Sequence, residues 1–289
     1  MAFQFAGGTY VRTSFVPATR QDIVESIRTH LNTAGWTDVS GGVGDRKLDC
    51  VTTPQALDCR IRVYDPGSGN CARVKFMTQD EVRQGIDLFL IPDATFTIIA
   101  NKYQFFVYAP GLVTPRHFIC GGVPFLEDFL DGVTTEAIWC HGDAQNDGGS
   151  AAGGNFRLRA GVKGQAWSWQ TRNTSAWGGT QDGIGSQRLE VTIRGNDNSG
   201  SVCEGPTLWH NDWPYKIPAR IAWGLESESI EAKVQGQLWN AAVIHKDYPM
   251  DRLATWEEDS VSYDWINLTN SNVLDYGRPS LWVAYQETP

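Results

Sequence analysis

No stretch of this 289-residue chain approaches 18 consecutive apolar residues, so no segment is expected to cross a membrane as a helix. No G-x-x-x-x-G-K-[ST] loop occurs, which removes the usual phosphate cradle. No G-x-S-x-G elbow occurs either; the nearest text, Gln181–Gln187, has no helix signal after it and reads as turn chemistry. The cysteines and histidines fall in no C-x-x-C or H-x-x-x-H pair, so zinc-type spacing is missing. Lys and Arg, 24 against 33 acidic residues, form no cluster along the chain, and the net charge is −9. Counterion release needs clustered cations, so nucleic acid is not an expected partner. The opening MAFQFAGGTYVRTSF has no basic stretch leading into an apolar run. The expectation is a chain made and first used in a reducing cytoplasm.

In that setting the six cysteines, at 50, 59, 71, 120, 140 and 203, read as free, half-buried thiols rather than disulfides. Asn173 and Asn267 match the glycosylation pattern, but without a secretory route these are chance matches. What the chain has in excess is Gly, at 30, and Trp, at 12. Eleven of those 12 Trp lie at or beyond residue 139.

Residues 8–16 read as a strand ended by Pro17. Ile23, Ile27 and Leu31 then recur with helical spacing. Thr19 is the expected N-cap, Asp22 occupies the capping-box position, and Gly35 is the expected stop. Short strands are predicted at 46–52, 58–65 and 71–78. In the middle one Cys59, Ile61 and Val63 face one way and Arg60, Arg62 and Tyr64 the other. Residues 79–92 read as a weak helix or irregular segment before Pro92, and 124–133 as a helical turn.

Residues 95–100 and 103–108 read as a β-hairpin with Asn101 and Lys102 as its two-residue turn. Tyr103, Phe105 and Val107 share one face; Gln104, Phe106 and Tyr108 share the other. Both faces are largely apolar, whereas a half-solvated sheet alternates. One helix covers one face, so the other is expected to meet a second domain or another subunit. Tyr103, Phe105, Phe106 and Tyr108 are therefore the candidate packing or interface residues.

The predicted organisation is an α+β domain over residues 1–128, with a helix on an antiparallel sheet. A Gly-rich connecting segment follows over 129–155. A Trp-rich β domain, sandwich-like or barrel-like, covers 156–289. Its better strand candidates are 156–162, 165–170, 188–194, 219–224, 234–245 and 280–285.

Chemistry is thin. Cys140, His141 and Asp143 sit together in WCHGD, and Cys203 and His210 could join them, but the spacing favours a solvated loop beside a packed Trp. Glu257, Glu258 and Asp259 could supply the paired carboxylates of a glycosidase, yet consecutive residues do not set the required separation. A solvated acidic loop is the preferred reading. No catalytic residue, cofactor or metal ligand is assigned. Trp167 and Trp169 on one strand face, with Trp209 and Trp213 near a loop, would be the stacking residues of a glycan site.

FTIIANKYQFFVYAPG with the following RHFICGGVPFL, VQGQLWNAAVI at Val234–Ile244, the closing SLWVAY and the AGW after the first helix resemble virion structural proteins from the tail and neck genes of tailed bacteriophages. The resemblance implies a non-enzymatic component of the tail, neck or collar, or baseplate. It would be assembled in the host cytoplasm and would contact copies of itself and other virion proteins. It implies no catalytic residues. The alternative is a glycan-binding adsorption module using the Trp-rich half. A hydrolase of such glycans is the third reading.

Overall fold

The computed structural model describes residues 3–79, 84–110, 118–129, 136–143, 154–161, 167–172, 178–181, 187–191, 216–225, 234–244, 251–268 and 280–285. The fold is mostly β-sheet, in three antiparallel sheets with a single short helix among the described residues. No helix there is long and apolar enough to cross a membrane.

The helix, α1, spans Arg20–Thr33. The Thr19 side chain accepts from the Asp22 amide, and the Asp22 carboxylate accepts from the Thr19 amide at 2.8 Å, closing the capping box. At the other end the Gly35 amide donates to Asn32 O and the Trp36 amide to Leu31 O, at 3.0 and 2.9 Å. This Schellman pattern needs a left-handed residue after the helix, and Gly35 supplies it at φ +100°. Ile23, Val24, Ile27 and Leu31 form the buried stripe.

The first sheet runs in the order β1 (Val11–Phe15), β7 (Phe96–Ala100), β8 (Gln104–Tyr108), β9 (Phe118–Gly122), β11 (Glu136–Asp143), β12 (Gly154–Gly161), β13 (Trp167–Arg172) and β14 (Gly178–Gln181). The second is a meander of β2 (Thr37–Gly42), β3 (Asp45–Asp49), β4 (Arg60–Tyr64), β5 (Ala72–Met77) and β6 (Gln84–Leu90). In the third, β15 (Gln187–Val191), β16 (Lys216–Leu225), β17 (Val234–Ile244), β20 (Ser280–Tyr285), β19 (Val261–Asn267) and β18 (Leu253–Glu258) follow one another. There β10 (Phe125–Phe129) also pairs with β17.

Strand β8 shows how these sheets are layered. Phe105, on one face of β8, stacks on Phe76 of β5 with ring centroids 5.6 Å apart, and meets Trp36 edge-on at 5.8 Å. The second sheet and the residue that follows the helix therefore cover that face. On the opposite face Gln104 bonds the backbone of Trp239 in β17, and the Tyr108 hydroxyl donates to Asp251 at 2.9 Å. The third sheet covers this side. The first sheet is thus the middle layer, and apolar residues from all three sheets join one continuous core.

Several local expectations are corrected. Residues 84–90 form β6 rather than a helix, because Leu88 and Leu90 are buried beside β5 and a strand presents them at period two. Residues 125–129 form β10, not a helical turn, since they pair with β17. WCHGD is no loop: it belongs to β11, with Trp139 and Cys140 buried. The acidic run 257–259 is not a free loop but the tip of the β18–β19 hairpin. The 95–108 hairpin turns on Lys102 and Tyr103 instead of Asn101 and Lys102. Its ladder pairs Ala100 with Phe105, and the Asn101 amide bonds Gln104 O. The Asn101 side chain accepts from the amides of Tyr103 and Gln104, at 2.9 and 3.0 Å, which holds the turn one residue later.

The expected connecting segment over 129–155 is corrected in part: Glu136–Asp143 within it is β11, a strand of the first sheet, which runs from β1 to β14 across the expected boundary. Phe129 and residues 154–155 belong to β10 and β12, and the rest of the segment lies outside the described residues.

Candidate functional site

Tyr103, Phe105, Phe106 and Tyr108 are all buried, at 4, 0, 1 and 1% exposure. Both apolar faces of the hairpin are thus covered within the chain. Phe106 packs on Trp139, at 6.0 Å between ring centroids, and Tyr103 on Trp239, at 4.6 Å. Each such aromatic contributes roughly 1.5–3 kcal/mol by leaving water.

A buried polar clamp ties the middle layer to the third sheet. The Gln104 carboxamide donates to Trp239 O and accepts from the Trp239 amide at 3.2 Å, as a backbone pair would. Nearby, Asn240 sits at φ +56°, inside β17. Its side-chain oxygen accepts from the Ala6 amide at 2.8 Å and from Asn101 Nδ2 at 3.4 Å. The Asn240 amide donates to Gln4 O, and the Gln4 amide donates to the Gln237 carboxamide. Residues 3–6 thus lie along β17 like a strap, with Phe5 stacked on Tyr263 at 4.0 Å and Phe3 edge-on to Trp265 at 5.8 Å. The Tyr10 hydroxyl donates to Ala6 O, and burial pushes its pKa up to about 12. At working pH that hydroxyl stays a neutral donor.

The remaining candidates are less concentrated. Trp167 and Trp169 lie in β13, opposite Ala160 and Leu158 of β12. Trp209 and Trp213 lie outside the described residues, as do Cys203 and His210. The five described cysteines are buried, more fully than the half-buried expectation, and none is in a disulfide. Among the described residues, no group of three or more His, Cys, Asp or Glu side chains could hold a metal.

The structure brings together one group that the linear reading leaves scattered. Alternation along β3, β4 and β5 sends Leu48, Ile61, Val63, Val74 and Phe76 inward. It leaves Lys47, Arg60, Arg62, Arg73 and Lys75 on the outward face. Lys47, Arg62 and Lys75 stand directly opposite one another across three strands. Arg60 holds Asp49 through two bonds, at 2.6 and 2.9 Å, and Arg62 holds Asp45 through two, at 2.8 and 2.7 Å. Hydrogen bonds from Arg62 hold the Asp45 carboxyl below its usual range, although partial burial opposes the shift. The Arg62 guanidinium lies over Tyr64 at 4.3 Å and that of Arg73 over Phe89 at 5.2 Å. The side chains of Arg62 and Asp45 remain 35 and 44% exposed, so this face reaches solvent. Cations therefore do cluster, across the sheet instead of along the chain. The available signal was the spacing R-x-R-x-Y in β4 and R-x-K in β5, polar at every second residue.

No family model matches the chain, and no curated protein matches it either.

Proposed function

We propose that this chain is a structural, non-enzymatic component of a tailed-phage particle, in its tail, neck or baseplate, working through protein–protein contacts. Its partners are copies of itself and neighbouring virion proteins, and its place is the virion, assembled in the host cytoplasm. The observation that carries the reading is the shared core. Aromatic residues that could have formed a binding cleft, among them Phe105, Phe106, Trp139, Trp265 and Trp282, are buried in packing. That suits a rigid brick, and the resemblance of the hairpin and of Val234–Ile244 to phage tail and neck proteins supports the same view.

The test is the native mass of the purified chain by light scattering, with negative-stain imaging. A discrete oligomer or ring is expected. A monomer at every concentration that binds host polysaccharide through Trp167 or Trp209 would replace this reading with the glycan-binding one.

A further inference from the structure

The outward face of the second sheet carries more cations than acids in an acidic chain. Five cations, Lys47, Arg60, Arg62, Arg73 and Lys75, share it with three acidic positions, Asp45, Asp49 and Asp87, in a chain of net charge −9. Three of these cations stand in one cross-strand row. Like charges placed directly opposite one another destabilise a sheet. Asp45, bonded to Arg62, and Asp87, in register with Lys75, offset part of that repulsion, and what the face offers a partner is its remaining surplus of positive charge on an otherwise acidic chain.

The complementary charge lies on the same chain. Residues 253–264 hold four carboxylates, Glu257, Glu258, Asp259 and Asp264, and no cation. They form the β18–β19 hairpin, whose ladder closes at Glu258 and Val261. Asp259 and Ser260 take φ +48° and +65°, the two positive values that a tight type I′ turn demands. Glu257, Asp259, Ser260 and Val261 are all exposed, so the acidic tip projects from the molecule. The β18 edge of the third sheet has no further strand beside it among the described residues.

The two features lie on opposite sides of one body. The cationic sheet packs through Phe76 on the Phe105 face of β8, whereas the third sheet, which carries the hairpin, packs on the Gln104 and Tyr108 face. The acidic tip is therefore separated from the cationic face of its own chain by the middle layer. We infer that the cationic face of the second sheet, centred on Lys47, Arg62 and Lys75, receives the acidic β18–β19 hairpin of a second copy in a head-to-tail contact. Such a heterologous contact repeats from copy to copy and builds a ring if the rotation closes and a filament if it does not. The inference rests on the structural-subunit reading and names its first partner.

The experiment uses the full chain and two charge-reversed forms, Lys47→Glu/Lys75→Glu and Glu257→Lys/Glu258→Lys. In the first, both new carboxylates face Arg62, a favourable cross-strand pair, while the one at position 75 also stands opposite Asp87; circular dichroism and thermal unfolding check that both forms fold. Light scattering follows mass against protein and salt concentration. The expected result is an oligomer that dissociates in about 1 M salt, where screening acts within roughly 3 Å. Each reversed form alone should associate about tenfold more weakly or worse. An equimolar mixture of the two should regain the oligomer, because the acidic face of one then meets the basic hairpin of the other. An oligomer indifferent to both reversals would overturn this contact and leave the structural reading standing. A wild-type monomer at every concentration would overturn both. Retention of wild type on a heparin column without self-association would assign the face to a polyanion instead of a second copy.

Discussion

Replacing Gln104 by Leu removes the clamp between the middle layer and the third sheet without changing the size of the side chain much. Gln104 is 1% exposed, and its carboxamide satisfies both the amide and the carbonyl of Trp239, which lies 135 residues away. Leucine leaves that amide and carbonyl buried without their partner. Each orphaned group costs about 1–3 kcal/mol, and the added apolar burial returns part of it. The net loss is about 2–4 kcal/mol, a large share of the 5–15 kcal/mol typical of a folded domain. For a chain of this length it corresponds to a fall in Tm of roughly 5–15 °C. Calorimetry and urea unfolding read it directly. Gln104→Glu adds a control with a sign. It keeps the acceptor and places a carboxyl in a buried site, where burial raises the folded-state pKa. Its protonated form is the one tolerated, so its deficit against wild type widens as pH rises above about 4.3, the unfolded value. A Leu variant within about 0.5 kcal/mol of wild type, or a Glu variant with no such pH dependence, would refute the clamp.

Thr19→Ala removes the acceptor for the Asp22 amide and should cost about 1 kcal/mol, read as a shift in urea midpoint at unchanged slope. Gly122→Ala should cost about 3 kcal/mol or more, since Gly122 holds φ +149° and a Cβ there would lie 2.6 Å from Gln104 Cα; soluble yield and Tm report it. Asp45, whose pKa is lowered by Arg62, contributes stability that is present above about pH 4 and lost as pH falls through its folded value. Asp45→Asn should therefore flatten the acid limb of stability against pH, and parallel limbs in the two proteins would count against the pair.

Local signals in the sequence were legible where one residue type answers one local need. Thr19, Asp22 and Gly35 mark the ends of α1 because capping is chemistry between near neighbours. The alternation of Cys59, Ile61 and Val63 marks β4 because its two faces meet different media. Legibility failed where distant partners decide. Leu88 and Leu90 become strand residues only because β5 lies beside them, and Phe125–Phe129 only because β17 does, over 100 residues later. The 95–108 hairpin was recognised, but its turn moved by one residue because the Asn101 side chain, not a positive φ, closes it. The cationic row was invisible along the chain for a similar reason: Lys47, Arg62 and Lys75 are adjacent only through register.

The strap formed by residues 3–6 also sets a timetable. Its backbone partners, Gln237 and Asn240, are made more than 230 residues after Gln4. At the usual 5–20 residues per second, Phe3 and Phe5 wait about 10–50 s on the ribosome before Tyr263 and Trp265 exist to cover them. During that interval α1 and the second sheet can already close by contacts local in sequence, while the groove that takes the strap has yet to be synthesised. A nascent chain of this protein therefore carries the two uncovered rings of Phe3 and Phe5 while the intervening 250-odd residues are made, and keeping them from other nascent chains falls to the cell.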